Sequence, residues 1–185
     1  MKKLLNALPF AIVGFLLFIN WSESQNTATV EVPNSRRTVD PAANLPEFSV
    51  VEGSVYDGDT IRVVDSTGKE LKIRFACVDA PEKQQPGGIE ARDELKRILE
   101  AGNNRVKLNI ITTDRYNRNV AEVWTREGLV QSQLAGQGLV YPYEQYKSDC
   151  PSWDAVERAG EYAIANSLGV WGDRNAVKPW DYRKK

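Results

Sequence analysis

The sequence of 185 residues contains no histidine, only two cysteines and no excess of basic residues. Without histidine the commonest general base and metal-binding side chain is missing, so any catalysis must depend on carboxylates, Arg, Lys, Tyr, hydroxyls or the cysteines. With 24 Lys and Arg against 25 Asp and Glu, no strongly basic field exists to hold nucleic acid by bulk electrostatics alone. The content of 42% hydrophobic and 26% charged residues excludes collagen-like, low-complexity and polytopic membrane classes.

The first part of the chain has the pattern of a targeting segment. Two lysines precede an uncharged stretch over residues 4–22, which predicts a signal peptide or an N-terminal membrane anchor over residues 1–24. Cleavage stays open, because the sequence after the apolar run is a poor cleavage site. Residues 25–46 carry three prolines and many small polar residues, which predicts a flexible linker. We expect an exported protein (secreted, periplasmic or membrane-anchored facing outside) that contacts a membrane only through this first segment.

The rest of the chain predicts one α+β domain over residues 47–174, followed by a C-terminal tail over residues 175–185. Alternating apolar and polar residues, broken by Gly, Asp and Asn turns, predict three strands, a helix, two more strands and then further helices. This order fits a five-stranded barrel capped by helices. The predicted strands are 48–56 with an interruption at Gly53, 60–65, 71–78, 106–110 and 120–124, and the predicted helices are 89–101, 129–137 and 151–167.

Four carboxylates stand at two breaks between these predicted elements, Asp57 and Asp59 at one, Asp79 and Glu82 at the other. If the second and third strands pair, the two breaks lie close together, and the carboxylates repel one another unless a cation lies among them. A hard divalent ion with oxygen ligands, calcium or magnesium, fits such a cluster, whereas zinc does not in a chain without histidine. The alternative is structural, since Asp-Gly is a common hairpin turn and residues 79–82 resemble a helix start.

Two arginines favour the chemical interpretation. Arg74 lies on the polar face of the strand that leads to Asp79, and Arg118 follows a turn that begins at Asp114. A guanidinium group stays charged at any working pH and offers a planar fork of donors suited to phosphate. Carboxylates, a cation and two arginines together suit phosphoryl chemistry, although surface ion pairs would explain either arginine taken alone.

The ordered motifs resemble the staphylococcal nuclease (thermonuclease) family over about residues 48–172. The matching segments are Asp57-Gly58-Asp59-Thr60, Ile73-Arg74, Val78-Asp79-Ala80-Pro81-Glu82, Asp114-Arg115-Tyr116-Asn117-Arg118, Gln137-Gly138-Leu139 with Tyr141 and Tyr143, and Leu168-Gly169-Val170-Trp171. The resemblance implies an OB-type β-barrel with three helices. It also implies calcium-dependent endonuclease activity that hydrolyses phosphodiester bonds of DNA and RNA and leaves 3′-phosphate ends.

The resemblance also assigns roles to residues. Asp59, Asp79 and the backbone carbonyl of Ala80 would bind Ca²⁺, with Asp57 behind them. Glu82 would orient or deprotonate the attacking water, while Arg74 and Arg118 would stabilise the transition state. The residues that would contact neighbouring parts of the substrate are Arg115, Tyr116, Tyr141 and Tyr143, and which of the last two tyrosines contacts nucleotide stays open. Tyrosines near the cleft favour single-stranded or frayed substrates, because they can stack on unpaired bases.

Several features qualify the resemblance. Asn117 stands where the family usually has glycine, and asparagine tolerates the left-handed backbone of such a turn. From residue 47 onward 20 basic residues face 22 acidic ones, so non-specific DNA binding should be weak and salt-sensitive. An OB-type nucleic-acid-binding module without catalysis remains the main alternative, and a metal-stabilised sugar- or peptide-binding protein is a third. We expect a monomer. Cys77 and Cys150 are either bridged or two buried thiols.

Overall fold

The computed structural model describes residues 41–184. The predicted signal peptide or anchor over residues 1–24 lies outside the described residues, and only residues 41–46 of the predicted linker are included. Within these six residues Ala42 is buried, and its carbonyl oxygen accepts a hydrogen bond of 3.0 Å from Lys107 Nζ. Across the described range, none of the helices combines the length and the apolar character that a membrane span requires.

The described chain forms eight strands and four α-helices. The strands are β1 (Glu47–Val50), β2 (Thr60–Val64), β3 (Glu70–Phe75), β4 (Val78–Asp79), β5 (Arg105–Thr113), β6 (Asn119–Thr125), β7 (Gly128–Leu129) and β8 (Tyr141–Pro142). The helices are α1 (Gly88–Ala101), α2 (Val130–Gly136), α3 (Trp153–Ala165) and α4 (Pro179–Tyr182). Two short 3₁₀ segments, Glu144–Asp149 and Gly169–Trp171, flank α3.

Five of the strands close into a barrel. The hydrogen-bonded order is β3-β2-β1-β5-β6, and β6 then pairs in parallel with β3, where Arg74 lies opposite Val120. A register shift in β5 between Ile110 and Thr112 lets the pairing with β6 follow the curved wall. The five-stranded barrel predicted from the sequence is therefore confirmed, and the additional strands are two-residue segments outside its wall.

The alternation along β2 and β3 directs apolar side chains into the barrel. Ile61, Val63 and Ile73 are fully buried, whereas Arg74 on the opposite face of β3 stays partly exposed. Each buried aliphatic side chain of this kind stabilises the fold by roughly 1.5–3 kcal/mol. The same alternation that forms the core therefore also presents a basic side chain on the outer face of β3.

Two predicted strands differ from those observed. The first ends at Val50 and does not continue to Tyr56, because the chain turns at Gly53, whose φ is 69°. The predicted strand 71–78 is also wrong as one element, since β3 ends at Phe75 and Cys77 adopts a φ of 71°. The chain leaves the barrel there and re-forms pairing as β4 against β8, which places Asp79 opposite Tyr141.

The three predicted helices are present with ends that differ by at most two residues, but they are not the only helices in the described range. Residues 175–184, predicted as a tail, contain α4, whose Pro179 is buried. Cys77 and Cys150 form a disulfide that links the segment between β3 and β4 to the residues just before α3. Covalent attachment at this point fixes the end of β3 relative to the helical layer.

Candidate active site

The two predicted breaks meet at one rim of the barrel. Thr60 pairs with Arg74, so Asp59, immediately before β2, lies beside the end of β3. The carbonyl oxygen of Asp59 accepts a hydrogen bond of 2.8 Å from the amide of Phe75, and Asp59 Oδ2 accepts one of 2.6 Å from the amide of Ala80. The pairing of β2 with β3 and the hydrogen bond accepted by the Asp59 side chain thus bring the break at Asp79 against the break at Asp59, as predicted from the sequence.

The guanidinium group of Arg74 connects both carboxylates. Its Nη1 lies 3.1 Å from Asp59 Oδ2, and its Nη2 donates to Asp79 Oδ1 at 2.7 Å. Nη1 also donates to the carbonyl oxygens of Phe75 and Val78 at 2.8 and 3.0 Å. Arg74 therefore fixes the irregular turn between β3 and β4 and neutralises part of the charge that this turn carries.

The carboxylates of the site are desolvated. Asp79 is fully buried and Asp59 nearly so. Burial raises the pKa of Asp79, against the opposing attraction of Arg183 and Arg74. For Asp57, burial first and then the neighbouring charge of Asp59 raise the pKa to about 6. Burial is the largest cause of both shifts, so these carboxyls lie in a poorly solvated environment in which a nearby cation would stabilise the charged form.

The donor atoms of this corner suit a hard divalent cation. Asp59 and Asp79 supply carboxylate oxygens, and the carbonyl oxygen of Ala80 accepts no hydrogen bond from any residue in the described range. Ala80 itself is buried, and its backbone amide binds Asp59, which places this residue at the same corner. An oxygen-only donor set is what calcium or magnesium requires. The predicted ligand set therefore fits such an ion.

The helix-start explanation of residues 79–82 is not observed. Helix α1 begins at Gly88, so residues 79–82 do not cap it. The loop that carries Glu82 is held by Gln85 instead, whose Oε1 accepts from the Glu82 amide at 2.8 Å. At the other motif, a Cβ on Gly58 would come within 2.9 Å of Ala80 Cβ, so glycine allows the Asp57–Asp59 turn to approach the site closely.

An arginine that sequence reasoning missed completes the network. Arg183 Nη2 donates to Asp79 Oδ2 at 2.6 Å, and Nη1 donates to Glu82 Oε1 at 2.8 Å. Partial burial opposes the charge of this guanidinium, but the hydrogen bonds that it donates to Asp79 and Glu82 outweigh this effect and raise the pKa of Arg183 further. No local signal could have found this contact, because 104 residues separate Arg183 from Asp79.

Arg118 belongs to a separate turn. Its Nε donates to Asp114 Oδ2 at 2.7 Å, and its guanidinium lies 5.5 Å from the centre of the Tyr116 ring. In the described part of the chain Arg118 forms no hydrogen bond or ion pair with Asp59, Asp79 or Glu82. The parallel pairing of β3 with β6 begins one residue later, at Asn119 opposite Ile73, so Arg118 still enters the barrel wall beside the strand of Arg74.

The turn itself has the conformation expected from its sequence. Asn117 has a φ of 59°, which asparagine tolerates and which explains how it replaces the family's glycine. Burial opposes the charge of Asp114, but hydrogen bonds from the backbone and side chain of Arg118 and from the Tyr116 amide lower its pKa. Tyr116 is 64% exposed, and the guanidinium of Arg115 lies 4.9 Å from its ring centre. Both side chains are therefore accessible to a ligand.

The two predicted tyrosines of β8 differ. Tyr141 is 3% exposed and packs edge-on against Trp171, with ring centres 5.0 Å apart, so most of its ring is buried. Tyr143 is partly exposed, and its hydroxyl donates to Gln145 Oε1 at 3.0 Å. Burial and then the charge of Asp79 raise its pKa. Its ring stacks on Trp180, with ring centres 4.8 Å apart and 5° between the planes. Of the two tyrosines, Tyr143 is the more exposed.

The disulfide is connected to the site through backbone hydrogen bonds. The carbonyl oxygen of Cys77 accepts a hydrogen bond of 2.8 Å from the Tyr143 amide, so the bridge, β4 and the tyrosine segment are joined directly. Beside the bridge, the buried carboxylate of Glu122 accepts from the Ser152 amide at 2.6 Å and from Asn109 at 3.0 Å. Glu122 therefore satisfies the backbone before α3 and serves the packing of that helix.

Comparison with known proteins agrees with this geometry. A model of the staphylococcal nuclease homologue family matches residues 72–173, more than half of the chain. The chain belongs to the staphylococcal nuclease family. The match covers Arg74, Asp79, Glu82 and Arg118, whereas Asp57 and Asp59 precede it and residues 174–185 follow it.

Individual relatives cover most of the described domain. An uncharacterized endonuclease of Escherichia coli O157:H7 is 35% identical over 132 residues, which are 71% of this chain and 82% of that protein. An uncharacterized endonuclease of Haemophilus influenzae is 31% identical over 131 residues, 71% of this chain and 70% of that protein. The staphylococcal-like nuclease CAN1 of Arabidopsis thaliana is 31% identical over 118 residues, which are 63% of this chain but 34% of that larger protein.

Proposed function

We propose that this protein is a calcium-dependent endonuclease that hydrolyses phosphodiester bonds of DNA and RNA. The single observation that carries the proposal is the corner in which Asp59, Arg74, Asp79 and the backbone amide of Ala80 meet within hydrogen-bonding distance. Membership of the staphylococcal nuclease family and the relatives named as endonucleases support the nuclease assignment.

Asp59, Asp79 and the Ala80 carbonyl would hold the cation. When bound, calcium would neutralise charge that develops on the phosphate oxygens and help to orient the substrate. Burial raises the pKa of Asp79 although Arg183 and Arg74 lower it, and a bound cation would further offset the cost of burying the charged carboxylate. Asp57 would support Asp59, because Asp57 Oδ1 accepts a hydrogen bond of 3.2 Å from the Asp59 amide.

Glu82 would accept the proton of the attacking water, since a carboxylate is the available weak base in a chain without histidine. Water then attacks phosphorus, the bond to the 5′-oxygen breaks, and the leaving alkoxide takes up a proton, which yields a 3′-phosphate end. Arg74 and Arg118 would donate hydrogen bonds to the phosphate oxygens as their charge increases. For this, the Arg118 side chain must turn from Asp114 toward the strand of Arg74. Such a movement requires no repacking of the core, because the side chain is partly exposed.

The substrate would be a single-stranded or frayed polynucleotide. Tyr116 is exposed between two guanidinium groups, an arrangement that can contact a base and the adjoining phosphate at the same time. Tyr143 offers a second ring, on the segment that pairs with β4 through the hydrogen bond from its amide to the Cys77 carbonyl. The domain lacks a net basic charge, so we expect tight binding to depend on low salt.

We further propose that the protein is exported and acts outside the cytoplasm. The lysine pair and uncharged stretch at the start of the sequence support export, and a disulfide at the site suits an oxidising compartment. Mass measurement of the protein from its native source tests cleavage of residues 1–24. Thiol titration of the denatured, unreduced protein tests the bridge, since two free thiols would contradict it.

The decisive experiment is digestion of end-labelled single-stranded DNA in calcium and in excess chelator. We expect cleavage in calcium, 3′-phosphate products, and a loss on the order of 10²- to 10⁴-fold in Glu82→Gln. Glu90→Gln is the matched control, because Glu90 lies exposed on the first turn of α1 and should leave the rate unchanged. Cleavage that chelator does not affect would contradict the calcium role, and binding without any product would favour the non-catalytic module.

A further inference from the structure

The last residues of the described chain, 177–184, lie across the candidate active site and are called here the C-terminal strap. Its first anchor is polar: the buried side chain of Gln85 donates from Nε2 to the Val177 carbonyl at 2.8 Å, while Gln85 Oε1 holds the amide of Glu82. One side chain therefore joins the strap to the loop that carries the proposed base. The strap also follows the residues matched by the family model, which end at 173.

The second anchor is aromatic. The indole of Trp180 stacks on the ring of Tyr143 with their planes 5° apart and meets the edge of Tyr141 at 5.8 Å. Lys178 Nζ lies 5.2 Å from the centre of the same indole. A flat ring stacked in parallel on Tyr143 occupies the position that a nucleobase would take on that tyrosine.

The third anchor is ionic and lies at the centre of the site. Arg183 binds both oxygens of Asp79, at 2.6 and 3.2 Å, and Oε1 of Glu82 at 2.8 Å. These are oxygens that the proposed function assigns to the cation and to the attacking water. Arg74 already binds Asp79 Oδ1, so Arg183 takes up further lone pairs of Asp79 and Glu82 that would otherwise remain for a divalent cation, and the two positive charges repel one another.

We propose that the C-terminal strap is a built-in competitor for cation and substrate, which must leave the site before calcium and a nucleotide bind. This inference rests on the proposed function for the identity of both ligands. Trp180 covers the base-stacking face of Tyr143, and Arg183 occupies the carboxylates. Calcium and polynucleotide therefore favour the state in which the strap is released, and the strap raises the calcium concentration at which the enzyme becomes active.

The strap is built to be released without unfolding the barrel. Residues 172–175, which connect it to the last 3₁₀ segment, are all exposed. The Arg183 side chain is 44% exposed, so water can replace its contacts as they break. Helix α4 is four residues long and buries only Pro179. Few buried contacts and an exposed connection are the properties of a segment that opens locally.

Calcium binding, measured by titration calorimetry on the purified protein, separates the strap from the nuclease chemistry. We expect Arg183→Ala to lower the dissociation constant for calcium on the order of tenfold, because the competing state is lost. Lys184→Ala is the matched control: it removes one positive charge from the same segment, but Lys184 pairs with Asp181 and not with the site. Trp180→Ala removes no charge and should also lower the dissociation constant, which excludes a purely electrostatic effect of Arg183→Ala.

Hydrogen–deuterium exchange gives the second readout. In the wild-type protein, calcium should increase deuterium uptake in residues 177–184, and Arg183→Ala should show that increase without calcium. A strap that keeps its protection in calcium, or equal calcium affinity in wild type, Arg183→Ala and Trp180→Ala, overturns the inference. Weaker calcium binding by Arg183→Ala also overturns it, since Arg183 would then support the site.

The same samples, assayed on single-stranded DNA, show which proposal fails. Calcium-dependent cleavage together with an unresponsive strap leaves the nuclease assignment intact and removes the strap inference. Release of the strap by calcium without cleavage of any polynucleotide removes the nuclease assignment and keeps the strap as a cation-operated segment. If none of the variants binds calcium, the strap inference fails, and digestion with other divalent ions still tests the nuclease.

Discussion

The two arginines predicted to hold phosphate occupy very different surroundings. Arg74 lies among two buried carboxylates and two backbone carbonyls at the barrel rim, and 14% of its side chain is exposed. Arg118 pairs with one acid of its own turn and stacks near an exposed tyrosine. The comparison shows how the same residue type can fix an active-site corner in one position and remain free to move toward a substrate in the other.

The largest effect on stability should follow the loss of Arg74. Arg74→Met leaves Asp59 and Asp79 buried without their shared partner, which should lower the free energy of unfolding by about 3–5 kcal/mol. Urea denaturation at neutral pH measures the change. Arg62→Met is the control on the neighbouring strand, where the exposed pair with Glu70 should contribute less than about 1 kcal/mol. Equal losses of unfolding free energy in the two variants would mean that Arg74 contributes no more to stability than an exposed ion pair.

The bridge that supports this corner should be nearly as important. Replacing both Cys77 and Cys150 by serine opens a loop of 73 residues and should lower the free energy of unfolding by roughly 2–5 kcal/mol. Melting of the wild-type protein with and without reductant provides an independent measurement. The double variant is the control, because reductant should not change its melting temperature. If reductant also leaves the melting temperature of the wild type unchanged, the bridge contributes little to stability.

Replacing Arg118 should affect catalysis more than stability, in contrast to Arg74. Arg118→Ala should change the free energy of unfolding by less than about 1 kcal/mol, because its ion pair is local and partly exposed. It should lower kcat/KM about 10²- to 10³-fold if it donates to the transition state. Arg126→Ala, an exposed arginine paired with Glu127, is the control expected to retain full activity. Retained activity in Arg118→Ala would remove that residue from the mechanism.

The smallest effect concerns the turn that holds Arg118. The pKa of Asp114 is lowered, so its contribution to stability is complete above the ordinary carboxylate pKa of about 4 and decreases as the pH falls through the lowered value. Asp114→Asn should therefore be less stable than the wild type by about 1 kcal/mol at pH 7 and equal to it in strong acid. Urea denaturation at both pH values measures the difference in free energy of unfolding between the wild type and Asp114→Asn. A difference that is the same at both pH values would contradict a lowered pKa of Asp114.

Much of the candidate site could be predicted because it depends on neighbours along the chain or across one pair of strands. Alternation along β2 and β3 places Arg74 outward, and the pairing of Thr60 with Arg74 brings Asp59 to the same rim. Tyr141 shows the limit of such reasoning. A tyrosine has the same local signal whether it lines a cleft or packs on a tryptophan, and only the contact with Trp171 decides that it is interior.

The sequence by itself determined the five-stranded barrel, the three main helices and the identity of the oxygen and guanidinium groups, because hydrophobic periodicity and turn residues act over short distances. Only the tertiary structure decided that Cys77 pairs with Cys150 and that Arg183 reaches Asp79 and Glu82. These contacts join residues separated by 73 to 104 positions. No local pattern encodes them, since they arise from the way whole elements pack against one another.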